Sequence, residues 1–113
     1  MAIKIWHNNR CSKSREALKL LEGKGEEIVI YNYLIENPGI DEIKAVLKKL
    51  DMKAKDLIRT KENIFRELEL KEVEDEETLI KMMAEHPKLI ERPIVITDSK
   101  AIIGRPPVLV LEL

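Results

Sequence analysis

Cys11 is the only cysteine of the 113-residue chain, and its surroundings favour a nucleophilic thiol. The alternating stretch at 3–7 predicts a short strand, and the stretch at 12–21 predicts an amphipathic helix. Cys11 would therefore lie where a strand leads into a helix N-terminus, beside backbone N–H groups and the positive end of the helix dipole. Both favour the thiolate, which is the reactive form of cysteine. A small buried cysteine is the alternative.

The strand before Cys11 and the helix after it begin a βαβ unit. The helix should end near Gly23 and Gly25, as helix C-termini commonly do. The β-branched run that follows predicts a second strand over 26–31. Because strands joined through a helix run parallel with a right-handed crossover, the first two strands should be parallel.

The rest of the chain predicts helices and then a β-hairpin. Apolar residues keep helical spacing from Ile40 to Leu50, and an acidic run at 74–77 suits the start of a later helix. The segments 94–97 and 101–104 flank a tight turn and predict an antiparallel pair. We expect a short final helix after residue 107, with a strand as the alternative.

This order of elements is that of a thioredoxin/glutaredoxin-like α/β fold, with a mixed four-stranded sheet and an inserted helical subdomain. We expect one domain over 1–113, with the insertion at about 39–86. Such domains place a reactive cysteine at the start of helix one and a cis-proline before the third strand. Pro93 is the candidate, because a cis bond is cheap only before proline. An ordinary trans proline is the alternative.

Composition excludes several classes of function. The net charge is −1 with both signs interspersed, so no nucleic-acid surface is expected. The apolar runs are too short to span a membrane, and no signal-peptide pattern precedes the fold. A single cysteine leaves no internal disulfide, which favours a reducing, cytoplasmic location. No group of His, Cys, Asp and Glu has the spacing of a metal site.

The segment from His7 to Arg15 resembles the active-site segment of the glutaredoxin-dependent arsenate reductases, the ArsC family, and is closest to their arsenate-reductase-like branch. The family pattern is His-Asn-Pro-x-Cys followed by a Ser-Arg pair. The similarity covers essentially the whole chain, with further matching blocks in the family's order at 33–38, 57–59, 86–95 and 104–107. Asn9 stands where the family usually has proline, which predicts a less rigid loop. Ser14 stands where the related regulator branch has a second cysteine, which argues against a dithiol switch.

The resemblance implies an oxyanion site and a mechanism. Arg59, Arg92 and Arg105 would bind arsenate or a similar oxyanion. The alternative for each arginine is a surface position or a structural ion pair. Cys11 would attack arsenic, glutathione would act as co-substrate, and glutaredoxin would supply the electrons that release arsenite. No bound cofactor is expected.

His7 and Ser14 are the candidates for tuning the thiolate. As an imidazolium, His7 would lower the Cys11 pKa further, whereas a neutral His7 would only hydrogen-bond the loop. Ser14 could donate its hydroxyl to the sulfur, or it could cap the helix N-terminus.

Three functions follow from these residues. The first is a monomeric arsenate reductase that serves arsenic detoxification. The second is a glutathione-linked thiol oxidoreductase without arsenate activity, and the third is a non-enzymatic regulator that binds a partner protein. The three arginines favour the first, because a disulfide substrate needs no pocket for a tetrahedral anion. The lack of a second cysteine counts against the regulator.

Overall fold

The computed structural model describes residues 2–25 and 27–112; Met1, Leu113 and Glu26, the first residue of the predicted second strand, lie outside these ranges. The strands are β1 (Ala2–Trp6), β2 (Glu27–Tyr31), β3 (Ile94–Ile96) and β4 (Ala101–Ile103). The α-helices are α1 (Ser12–Glu22), α2 (Tyr33–Glu36), α3 (Ile40–Leu50), α4 (Ala54–Leu57), α5 (Asn63–Glu67) and α6 (Glu76–Glu85). Short 3₁₀ segments cover Leu70–Glu72, Pro87–Leu89 and Pro107–Glu112. No helix within the described ranges has both the length and the apolar character needed to span a bilayer.

The chain divides into two compact units. The sheet unit comprises the residues up to Glu36 together with those from Arg92 onward, and the helical unit is Asn37–Glu91. The predicted insertion at 39–86 lies within the helical unit. The single domain over 1–113 stays a prediction.

The sheet unit holds the predicted mixed four-stranded sheet, which is confirmed, in the order β2-β1-β3-β4. β1 and β2 are parallel, as expected for strands joined through α1. β3 is antiparallel to β1 and to β4, so the hairpin adds to the free side of β1. This pairing sets Trp6 of β1 beside Ile94 of β3.

One face of the sheet is covered by α1 and the last 3₁₀ segment, which pack against each other. Helical spacing puts Ala17 and Leu21 on the same face of α1, and both are fully buried. Their core cluster also contains Ile3, Ile5, Val95 and Val110. The final element is thus helical, but it is a 3₁₀ segment that begins at Pro107 rather than an α-helix.

In the helical unit, α3 and α6 pack against each other. Each presents a row of buried apolar residues, namely Ile43, Val46 and Leu47 on α3 and Leu79, Ile80 and Met83 on α6. Lys44 and Glu77 form an ion pair at 3.0 Å between the two helices. Asp75 caps α6 by accepting the Thr78 N–H at 3.1 Å, so part of the acidic run acts as a helix start.

Gly104 has no room for a side chain, because a Cβ there would lie 2.9 Å from Pro93 Cγ and 3.0 Å from Val110 Cγ1. We expect Gly104→Ala to lower the free energy of unfolding by about 1–3 kcal/mol, since packed side chains must shift. Gly39→Ala is the matched control, because a Cβ at Gly39 meets nothing within 4 Å. It should change stability by less than about 1 kcal/mol. Urea unfolding measures both, and equal effects would contradict the packing argument.

Candidate active site

Cys11 is the N-cap residue of α1, with extended backbone angles of φ −93° and ψ 119°. Its side chain is partly exposed, and its N–H donates to the Asn8 carbonyl oxygen at 3.0 Å. Partial burial raises the pKa of the Cys11 thiol, but the backbone N–H of Ser14, the Arg92 guanidinium and the backbone N–H of Lys13 together lower it by more. The net effect is a Cys11 pKa below its ordinary value, which suits a thiol at a helix N-terminus.

Arg92 supplies the side-chain cation of this site. Its guanidinium hydrogen-bonds the Cys11 sulfur, and its Nε is a buried atom. Burial lowers the pKa of Arg92, but the interactions with Cys11 and Tyr33 raise it by more, so Arg92 stays charged. The Arg92–Pro93 peptide bond is cis, and Arg92 lies two residues before the start of β3.

Arg105 lies beside Arg92 in the same unit. Its Nη1 donates to the Arg92 carbonyl oxygen at 3.1 Å, and its peptide bond to Pro106 is also cis. The half-buried Arg105 guanidinium therefore adds positive charge next to the segment that holds Arg92. The structure thus brings together Arg92 and Arg105, two of the three arginines predicted to bind an oxyanion.

Tyr33 is a residue of this site that the sequence analysis did not predict. The side chain is fully buried, and its ring stacks on Trp6 with centroids 6.4 Å apart and an interplanar angle of 19°. Its hydroxyl oxygen is buried too, and it interacts with the Arg92 side chain. The position belongs to a matching sequence block, but an aromatic residue at the start of a short helix ordinarily indicates only core packing.

His7 and Ser14 form a buried polar pair under the Cys11 loop. The Ser14 Oγ lies 2.7 Å from His7 Nδ1 and accepts the Asn8 N–H at 3.0 Å. Burial lowers the pKa of His7 and Arg15 lowers it further, while a hydrogen bond with Asn9 raises it; the net shift is downward. His7 is therefore neutral near pH 7, which disfavours the imidazolium role and suits the loop-holding alternative.

The loop before Cys11 is held by hydrogen bonds at the point where the family usually has proline. The Asn8 Oδ1 accepts the Arg10 N–H at 2.9 Å, and Arg15 Nη1 donates to the Asn9 carbonyl oxygen at 2.8 Å. The less rigid loop expected from Asn9 stays a prediction, and these bonds act against it.

Arg59 lies in the helical unit, where two carboxylates bind it. Its Nε is 3.1 Å from Glu62, and its Nη1 hydrogen-bonds Glu91 at 2.5 Å. The Arg59 N–H also donates to the Leu89 carbonyl oxygen at 2.6 Å. These bonds fit the alternative of a structural ion pair, and the oxyanion-binding role of Arg59 stays a prediction. Within the described residues, no group of three or more His, Cys, Asp or Glu side chains could hold a metal ion.

Comparison with known proteins identifies the class to which this fold and site belong. The ArsC family model matches residues 6–113. A Haemophilus influenzae protein named arsenate reductase is 44% identical over 100% of this chain and 99% of its own length. An uncharacterized Escherichia coli protein, YfgD, is 47% identical over 98% of this chain and 95% of its own. The structure of an arsenate reductase from Vibrio cholerae aligns with a TM-score of 0.95 at 43% identity, covering 99% of this chain and 97% of that one.

The chain belongs to the ArsC family, and the predicted thioredoxin-like α/β fold is confirmed. The Cys11–Arg92 pair at the start of α1 is accordingly the candidate active site.

Arg92→Ala should raise the pKa of Cys11, because both the hydrogen bond and the charge of the guanidinium stabilise the thiolate. The rate of iodoacetamide alkylation against pH measures this pKa, and its midpoint should move to higher pH. Arg92→Lys should move it less, since the charge is kept. The exposed Arg10 provides the control, and Arg10→Ala should leave the midpoint in place. An unchanged midpoint in Arg92→Ala would contradict the contact.

Ser14→Ala should destabilise the protein by about 1–3 kcal/mol, because it leaves the buried His7 Nδ1 and the Asn8 N–H without their shared partner. The Cys11 pKa should change little, because Ser14 acts on the sulfur through its backbone N–H, which alanine keeps. Ser12→Ala, at an exposed position of the same helix turn, is the control and should be close to neutral in urea unfolding. A large rise of the Cys11 pKa in Ser14→Ala would instead support a direct hydroxyl–sulfur bond.

Proposed function

We propose that this protein reduces arsenate to arsenite with Cys11 as its only protein thiol, and that glutathione and glutaredoxin supply the electrons. The observation that carries the proposal is the pairing of a thiolate-favouring Cys11 with the Arg92 guanidinium at a helix N-terminus. A cysteine in this state attacks electrophiles at neutral pH, and the adjacent arginine suits an anionic one. Relatives named arsenate reductase, aligned over nearly the whole chain, support arsenate as that anion.

In the first step, the Cys11 thiolate forms a bond to arsenic, and one arsenate oxygen leaves as hydroxide or, with a proton, as water. Arg92 would stabilise the arsenate oxygens as charge shifts onto them. Arg105 would add positive charge beside Arg92. An oxyanion-binding role for Arg59 would require its guanidinium to give up part of its bonding to Glu62 and Glu91.

In the second step, a glutathione thiolate attacks the Cys11 sulfur. The sulfur–arsenic bond breaks, and its electron pair stays on arsenic, which leaves as arsenite. The two-electron reduction of arsenic is balanced by formation of the Cys11–glutathione disulfide. A glutaredoxin thiolate then takes the glutathionyl group and regenerates Cys11. An external thiol is needed because the chain has one cysteine and so cannot form its own disulfide.

This cycle would proceed in a compartment that keeps thiols reduced, which is why we place the protein in the cytoplasm. Its physiological role would be arsenic detoxification.

A second function rests on the same contact. A thiol oxidoreductase that resolves glutathione mixed disulfides would also use a Cys11 thiolate stabilised by Arg92, and it would need no further arginine. The engagement of Arg59 by two carboxylates within the helical unit favours this candidate. The two functions differ in whether arsenate is required for turnover.

We expect arsenate-dependent NADPH oxidation in an assay coupled through glutathione, glutaredoxin and glutathione reductase, and its loss in Cys11→Ser. Arg92→Ala should lower kcat/KM for arsenate by about 10²-fold, the effect of removing one oxyanion donor. Alkylation by neutral iodoacetamide, measured above the thiol pKa, should fall far less. Arg10→Ala again serves as the control for loss of a nearby exposed charge.

A different result in the same assay would contradict the proposal. Turnover with hydroxyethyl disulfide and glutathione, together with no response to arsenate, would assign Cys11 to thiol exchange. Arsenate reduction that persists in Cys11→Ser would exclude the single-cysteine mechanism.

A further inference from the structure

The sheet of the sheet unit has one short edge and one open, apolar edge. Its order puts β4 at one edge and β2 at the other. β4 has three residues, all partly buried, and a strand this short offers little for another strand to pair with. β2 has five residues, EIVIY, with no proline, glycine or lysine among them. Apart from the charge of Glu27 at its start, it therefore lacks the features that usually keep an edge strand from pairing with another chain.

Apolar side chains are exposed on both faces of this edge. Val29 is 43% exposed and Ile30 is 52% exposed. Successive side chains point to opposite faces of a strand, and the register puts Val29 beside Lys4 and Ile30 beside Ile5. A ligand lying on one face of the sheet would cover only one of them. A strand added at the edge would contact both.

The direction of the backbone groups of β2 is fixed by its pairing with β1. The His7 N–H donates to the Tyr31 carbonyl oxygen at 2.9 Å, so the N–H and C=O of Tyr31 point toward β1. Because these directions alternate along a strand, the groups of Val29 also point toward β1. Those of Ile28 and Ile30 point away from the sheet, where a further strand would bond them.

We propose that two copies of this chain associate by antiparallel pairing of their β2 strands, with the two-fold axis at Val29. Ile28 of one copy then lies opposite Ile30 of the other, and each such pair exchanges two backbone hydrogen bonds. Val29 of one copy lies opposite Val29 of the other. Apolar side chains therefore contact apolar side chains on both faces of the joined sheet. A shift of two residues would set Glu27 opposite Val29, or Ile28 opposite Asn32, and would lose this match.

The charges near the edge favour the same register. The register centred on Val29 places Glu27 of one copy opposite Tyr31 of the other. The Lys4 Nζ lies 5.0 Å from the centre of the Tyr31 ring and on the same face of the sheet. Each Glu27 carboxylate thereby comes near a Lys4 ammonium of the second copy, and this happens twice in the dimer. No like charges lie directly opposite one another along 27–31 in this register.

The size of the contact predicts a weak dimer. A stable interface buries about 1,600 Å² in total, and a single pair of five-residue strands covers less than this. The monomer expected from the sequence should therefore prevail in dilute solution and give way to the dimer as concentration rises.

Sedimentation velocity of the full chain over about three decades of concentration tests this association. We expect the mass to rise from 13.1 kDa toward twice that value. Ile30→Pro removes the outward N–H without touching the bonds to β1, so it should abolish the rise. Ile30→Ala keeps the N–H, and should weaken association less. Val108→Lys, at a residue that is 57% exposed away from β2, should have no effect.

Disulfide capture tests the register. In a Cys11→Ser background, Val29→Cys places two cysteines opposite each other at the axis, where Cα atoms about 4.5 Å apart can be bridged. Ile30→Cys places its two copies farther apart than the roughly 7 Å limit for a disulfide. Mild oxidation should give covalent dimers with the first variant and little with the second.

Three results would overturn the proposal. The first is a mass of 13.1 kDa at every concentration. The second is association that survives Ile30→Pro but is lost in Val108→Lys, which would point to another surface. The third is equal cross-linking by the two cysteine variants, which would exclude the pairing centred on Val29. Thermal unfolding of each variant confirms that a lost dimer is not a lost fold.

Discussion

Negative charge on a partly buried sulfur is the constraint on which the candidate site depends. Burial alone favours the neutral thiol, so the charge must be stabilised by groups that are already in place. The start of α1 supplies backbone N–H groups, and Arg92 supplies the cation. These come from distant parts of the sequence, and the antiparallel pairing of β1 with β3 brings them together. The sheet therefore serves the site by fixing Arg92 against the first turn of α1.

The buried His7–Ser14 pair holds the segment around Cys11 in place. A buried imidazole and hydroxyl destabilise a fold unless they are hydrogen-bonded, and here the Ser14 Oγ bonds both His7 and the loop. The pair thereby ties the end of β1 to the first turn of α1 on either side of Cys11. Because His7 is neutral, it adds no charge near the sulfur. The backbone N–H groups and Arg92 are left to set the Cys11 pKa.

Local patterns and short motifs were enough to predict the four-stranded sheet and the position of Cys11 at the start of α1. They were also enough to make Arg92 a candidate site residue. It was not enough for contacts that need tertiary geometry. The Arg59–Glu91 bond spans residues that only the folded helical unit brings together. The contact of Tyr33 with Arg92 has no local signal either, since an apolar environment for an aromatic ring is the ordinary expectation. The last helix was placed correctly, but its 3₁₀ form and its packing against α1 were not predicted.

The balance of charge decides what this site can bind. Arg92 and a Cys11 thiolate cancel each other, so the pair alone offers an incoming dianion no net attraction. The helix N-terminus contributes the equivalent of about half a positive charge. Arg105, bonded to the Arg92 carbonyl, adds a full one. Arg59 with Glu62 and Glu91 forms a cluster of net negative charge within the helical unit. Under the proposed arsenate reduction, Arg105 would supply the net positive charge that a tetrahedral oxyanion needs, whereas thiol exchange would not require it.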